Sequence, residues 1–117
     1  MNPSELHALI APLWTKRPDL RDGSPIACGV PSYSPGFYFQ HELVSPWVPA
    51  DVAAAALTGF LVERLPPGKC LYRAEAHWWE VCEAACGEDD GYCLSTIIDG
   101  PTALSALVAF HMQEPAP

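Results

Sequence analysis

Positive charge is what this sequence has least of. Across 117 residues there are six Lys and Arg against 14 Asp and Glu, a formal net charge of −8, and the isoelectric point is about 4.7. Lys16, Arg17 and Arg21 form the one basic cluster. A nucleic-acid interface needs several clustered cations to neutralise phosphates, so direct DNA or RNA binding is excluded as the main role. The same balance favours a basic partner, drawn in by long-range attraction. Long apolar runs are also missing. The start, MNPSELHALIAPLW, spaces its apolar residues and lacks a basic leader, so it reads neither as a signal peptide nor as a membrane span, and a cytoplasmic location is expected.

Catalytic signatures are equally scarce. No G-x-S-x-G elbow surrounds Ser24, Ser32, Ser34 or Ser45, and neither a phosphate-cradling glycine loop nor a dinucleotide fingerprint occurs. There is no paired C-x-x-C knuckle. Cys82, Cys86 and Cys93, with His77 nearby in sequence, supply soft ligands, but their spacing is not that of a zinc site, and no metal or cofactor is implied. In a chain without an export signal, the five cysteines (Cys28, Cys70, Cys82, Cys86, Cys93) read as reduced, buried thiols, and their odd number argues against a closed disulfide framework. Cys28 with His41 and Glu42 offers a nucleophile, base and orienter only in the loose sense that any such set could meet in space.

What is present suits one α+β domain spanning residues 1–117. Asn2 is placed to cap a helix with Pro3 at its first position and Glu5 three residues after the cap, and Leu6, Leu9, Ile10 and Leu13 recur at helical spacing. Pro12 argues for an end near residues 12–14. From Thr15 to Pro49, prolines and glycines recur too often for regular elements, yet Tyr33, Phe37, Tyr38, Phe39 and Trp47 are too aromatic for a solvated linker. This predicts an ordered Pro-rich loop, with Gly36 to His41 as its best strand candidate.

Asp51 to Leu65 reads as a second helix, stopped by Pro66-Pro67-Gly68, in which Gly59 would allow close packing on a neighbour. Cys70–Glu75, Trp78–Ala84 and Tyr92–Ile98 are rich in β-favouring residues. Leu71, Tyr72, Trp78, Trp79 and Val81 among them suit a half-buried pleated core. A third helix follows from Pro101 to Met112, with Asp99 as the acidic residue near its start and His111 as a partly buried, satisfied histidine. The predicted architecture is an antiparallel sheet of three or four strands packed with about three helices.

The order of an ELHALI helix, a DVAAAA helix, an aromatic strand carrying Trp79-Glu80-Val81, a second strand and the Asp99-to-Ala103 entry into a closing helix resembles the phage ABA sandwich domain of small phage and prophage proteins. The resemblance covers Asn2 to Leu13 and Asp51 to Met112. It implies a helix–sheet–helix fold of viral type acting in a host cytoplasm, and it carries no established activity.

The carboxylates supply the candidate site. Glu75, Glu80 and Glu83 on the central strands and Glu88, Asp89 and Asp90 in the connecting turn would give one edge of the sheet most of the negative potential, with Phe39 and Trp47 of the long loop as candidate aromatic contacts. The alternative for the acidic turn is a solvated loop protecting a strand edge. These residues suit a non-enzymatic protein that binds another protein, one with a basic nucleic-acid-binding surface, in the manner of anti-CRISPR and other anti-defence inhibitors. A cysteine- or metal-dependent enzyme and a virion component are the competing readings, and the loop aromatics leave a homodimer open.

Overall fold

The computed structural model describes residues 1–29, 34–43, 46–86 and 92–114, with 84–86 and 92–94 described as backbone. Its described elements are four helices and two antiparallel sheets, an α+β fold as the sequence predicts. The chain divides into two compact units, Met1–Phe60 and Leu61–Glu114.

The first unit opens with α1, Pro3–Lys16. The Asn2 side chain accepts the Glu5 N–H at 2.8 Å, and the Glu5 carboxylate takes the Asn2 side-chain amide at 2.6 Å, so the expected cap forms. The helix does not stop at Pro12 but runs through it to Lys16. Leu13 and Trp14 are buried, and burying them on a continuing turn outweighs the hydrogen bond that proline cannot donate. Arg17 closes α1 through its N–H to the Leu13 carbonyl and opens α2, Pro18–Gly23, pairing with Asp19 through two parallel bonds of 3.0 and 3.1 Å. The Arg17 guanidinium holds the half-exposed Asp19 carboxyl below the usual aspartate range.

The Pro-rich stretch is more regular than its composition suggests. It contains α2, β1 (Ile26–Gly29) and β2 (Gly36–Phe39), which pair antiparallel with Ile26 opposite Phe39 and Gly29 opposite Gly36. Val48 adds a single bridge to Phe37 on the other side of β2. Four-residue strands are too short to show a period-two pattern, which explains why only β2 is legible in sequence. Gln40 holds this sheet to the end of α2, donating from its side-chain amide to the carbonyls of Arg21 and Ser24. Ile26 and Phe37 lie on one face and are almost fully buried.

Helix α3, Ala50–Glu63, buries Ala53, Leu57 and Phe60 along one side. Among the described residues nothing lies within 4 Å of the position a Cβ would take at Gly59, so no close approach there requires glycine, contrary to its sequence reading. The chain then turns at Pro66–Lys69, where the Lys69 N–H returns to the Pro66 carbonyl and Gly68 adopts φ 85°. Pro at the second position and a left-handed Gly at the third suit a type II turn.

The second unit is a meander of β3 (Lys69–Glu75), β4 (Trp78–Cys86) and β5 (Tyr92–Gly100), with β4 central, closed by α4 (Ala103–Gln113). The helix starts two residues later than expected. Thr102 caps it by accepting the Ser105 N–H, and Ser105 answers the Thr102 N–H, so Pro101 stands just outside rather than at the first position. α4 lies on the sheet where Gly100 faces it: a Cβ there would stand 2.7 Å from Ser105 Oγ and 3.0 Å from the Ala106 nitrogen. His111 is completely buried, its Nε2 3.0 Å from the Leu61 carbonyl and its Nδ1 2.6 Å from the Glu114 carboxylate. It is a satisfied core histidine that ties the end of α4 to the last turn of α3.

The two glycines should respond oppositely to alanine. Gly100→Ala should lower stability by about 1–3 kcal/mol, because the new methyl displaces the Ser105 cap or backbone that cannot move freely. Gly59→Ala, in an exposed helical position with open space, should raise it by about 0.5–1 kcal/mol. Thermal and urea melts of the two variants check both signs.

Candidate functional site: an acidic and aromatic sheet face

Side chains alternate across a strand, so register decides which residues of the meander share a face. Opposite Cys82, Glu80 and Trp78 of β4 stand Cys70, Tyr72 and Glu75 of β3. On the other side of β4, Thr96 faces Cys82 and Asp99 faces Glu80. Two irregularities, at Ala74 in β3 and Ile97 in β5, each add one residue to the ladder without disturbing this set. The remaining positions, Lys69, Leu71, Arg73, Trp79, Val81, Glu83, Ile98 and Gly100, belong to the face that receives α4.

Hydrogen bonds within the first set confirm the assignment. The Trp78 indole N–H donates to Asp99 Oδ2 at 3.3 Å, and the Thr96 hydroxyl donates to Glu80 Oε2 at 3.0 Å. The Cys82 thiol points at the same Glu80 oxygen from 3.8 Å. On the opposite face Lys69 pairs with Glu83 at 3.0 Å, and the Arg73 guanidinium sits 5.6 Å over the Trp79 ring.

The consequence is a separation of charge. Both cations of the sheet go to the face that carries α4, where Lys69 offsets Glu83. The other face gathers Glu75, Glu80 and Asp99 with no Lys or Arg among its described residues. Glu80 and Asp99 stand directly opposite one another. Around them Tyr72 is 45% and Trp78 39% exposed, so these two rings are half-buried, surface as well as framework.

The candidate residues fall into three groups. Glu88, Asp89 and Asp90 lie outside the described residues. Glu80 and Glu83 both stand on the central strand, but an odd spacing in a strand turns them to opposite sides, so they do not make one acidic edge. Phe39 and Trp47 also part company. Phe39 shares the side of the small sheet that buries Ile26 and Phe37, whereas Trp47, 55% exposed, lies against Gly29 and meets Tyr38 edge to face at 5.6 Å. Glu75 shares the side of Glu80, whereas Asp99, Tyr72 and Trp78 are not among the residues the sequence points to for this site. Their signal is parity relative to Glu80, which becomes readable once register is known.

Of the cysteines that could hold a metal or act in catalysis, Cys86 and Cys93 have side chains that lie outside the described residues. The Cys28 thiol points at its neighbour's carbonyl, Gly29 O, at 3.5 Å, and burial pushes it above the usual thiol range, the reverse of an activated nucleophile. His41 and Glu42 are exposed. Among the described residues no group of three or more His, Cys, Asp and Glu is arranged to hold a metal ion, and no helix is long and apolar enough to cross a membrane. No protein-family model, curated protein or solved structure matches the chain.

The contrast between the buried side of the small sheet and the exposed Trp47 is open to measurement. Phe37→Ala, on the buried side with Phe39, should cost about 3–5 kcal/mol of stability. Trp47→Ala should cost about 1 kcal/mol, the scale of one edge-to-face contact. Equal losses in chemical melts would show that Trp47 belongs to the framework and is unsuited to a binding role.

Proposed function

We propose that the chain acts by binding another protein rather than by catalysis, and that the face of Tyr72, Glu75, Trp78, Glu80 and Asp99 receives a Lys- or Arg-rich segment of that partner. In its most concrete form the protein is a phage-type accessory protein that occupies the basic nucleic-acid groove of a host defence complex, as anti-CRISPR inhibitors do. One observation carries this reading. The sheet sends its cations to one face and leaves three carboxylates beside two exposed rings on the other. Carboxylates draw a cationic partner in and fix its register, while Trp and Tyr supply contact area at low entropic cost and can stack on guanidinium groups. Asp99 and Glu80 are already oriented by Trp78 and Thr96, so little freedom is lost when a cation docks.

An oligoarginine peptide is the minimal probe. Titrated against the full chain, it should bind at low salt and weaken steadily as salt rises, since exposed charges beyond about 10 Å are screened at 0.1 M. The paired substitution Glu75→Gln with Asp99→Asn should weaken binding several-fold with little loss of stability. Lys69→Ala with Glu83→Ala, on the opposite face, should leave binding as it is. Binding that survives the first pair, or that falls equally with the second, would reject this face. For the anti-defence form, a purified defence complex preloaded with its nucleic acid should no longer capture the chain, and simultaneous binding of both would overturn it.

A further inference from the structure

Cys70 and Cys82 stand directly opposite one another on neighbouring antiparallel strands, on the same side of the sheet. Both are free thiols, Cys82 99% buried by its neighbours at 1% exposure and Cys70 partly exposed. Directly opposed residues of an antiparallel pair have Cα atoms about 4.5 or 5.5 Å apart, depending on whether the pair exchanges hydrogen bonds. Both values fall in the span that a disulfide bridges, roughly 4.4–6.8 Å. The thiols therefore need only side-chain rotation and a slight inward movement to meet.

We propose that Cys70 and Cys82 form a reversible intrachain disulfide by exchange with a low-molecular-weight disulfide such as oxidised glutathione. The pair lies on the same face as the proposed contact and shares Glu80 with it, but the bond does not require that a partner binds there. The more accessible Cys70, as thiolate, attacks one sulfur of the glutathione disulfide. That S–S bond breaks, one glutathione leaves as thiolate, and Cys70 carries the mixed disulfide. Cys82 then gives up its proton to water and attacks the Cys70 sulfur, and the second glutathione departs as thiolate. Two protein thiols are oxidised by two electrons and one glutathione disulfide is reduced to two thiols, which take up the two protons released.

The surroundings hold the pair open until an oxidant arrives. Burial first, then the Glu80 carboxylate and the Cys70 sulfur, push the Cys82 thiol above its ordinary range. Its S–H is directed at Glu80 Oε2, 3.8 Å away. Only the deprotonated sulfur attacks, so Glu80 is a positioning residue that restrains the second step.

The test uses the whole reduced chain with all five cysteines. It is incubated with oxidised glutathione at neutral pH, quenched with an alkylating agent, and mapped by mass spectrometry both folded and in urea. In the folded chain the Cys70 and Cys82 peptides should be joined, two hydrogens lighter, as the dominant product, with two equivalents of glutathione thiol released per chain. In urea, pairing should shift to the sequence neighbours Cys82, Cys86 and Cys93, which close shorter loops. The same product mixture in both states, or a Cys70–glutathione adduct that persists in the folded chain, would overturn the proposal. Glu80→Gln should close the bond several-fold faster than the natural chain; closure at the same rate would remove Glu80 from the restraining role.

Discussion

The register of β4 is the constraint on which the second unit depends. Being central, this strand is paired on both edges, and its alternation assigns every neighbour to a side at once. Val81 turns toward the face that carries α4 and is fully buried, while Glu80 and Cys82 turn away from it. A slip of one residue would exchange the two sets, placing a carboxylate under the helix and an aliphatic side chain in water. The close approach at Gly100 follows from the same register, since Gly100 stands opposite Trp79 on the helix-bearing side. Charge separation is thus a by-product of pairing: the strand that packs the helix also sorts the acids.

The first unit is organised differently. Its sheet has two short strands, and much of its definition comes from side chains that satisfy backbone groups between elements. Ser24 is fully buried and bonds both to the Ile26 carbonyl and to the Ile26 N–H, fixing the exit from α2 into β1. Gln40 does the same for the exit from β2. Such bonds stand in for ladder length, because a buried backbone group left unpaired costs more than the bond itself returns. Trp47 then covers Gly29, where the missing side chain leaves room for a ring.

The larger elements were legible because their local signals agreed. The β-favouring run from Trp78, the alanine-rich helix and the Asn2 cap each point one way, and each forms. Pro12 misled because a local penalty was weighed without the burial of Leu13 and Trp14 just beyond it. Asp99 misled in another sense: beside a Gly-Pro pair it looks like a helix-start acid, whereas it is a strand residue bonded to Trp78 across the sheet. The three-residue interval between Glu80 and Glu83 already contained their separation, given a strand. Which other acids join Glu80 was not contained there, because partners across a ladder depend on turn lengths and bulges that period-two reading does not supply.

Ile97 is the extra residue that β5 carries relative to β4, between the pairs Val81 with Ile98 and Cys82 with Thr96. Remove it on paper and the ladder becomes regular, with Thr96, Ile98, Asp99 and Gly100 all keeping their present sides. Proteins ordinarily absorb changes of length in their loops, since a strand that gains or loses one residue inverts everything downstream. Here the bulge works as slack inside the sheet itself, so a one-codon deletion at this point belongs with the tolerated accidents of the sequence, while the same deletion two residues later would carry Gly100 away from α4.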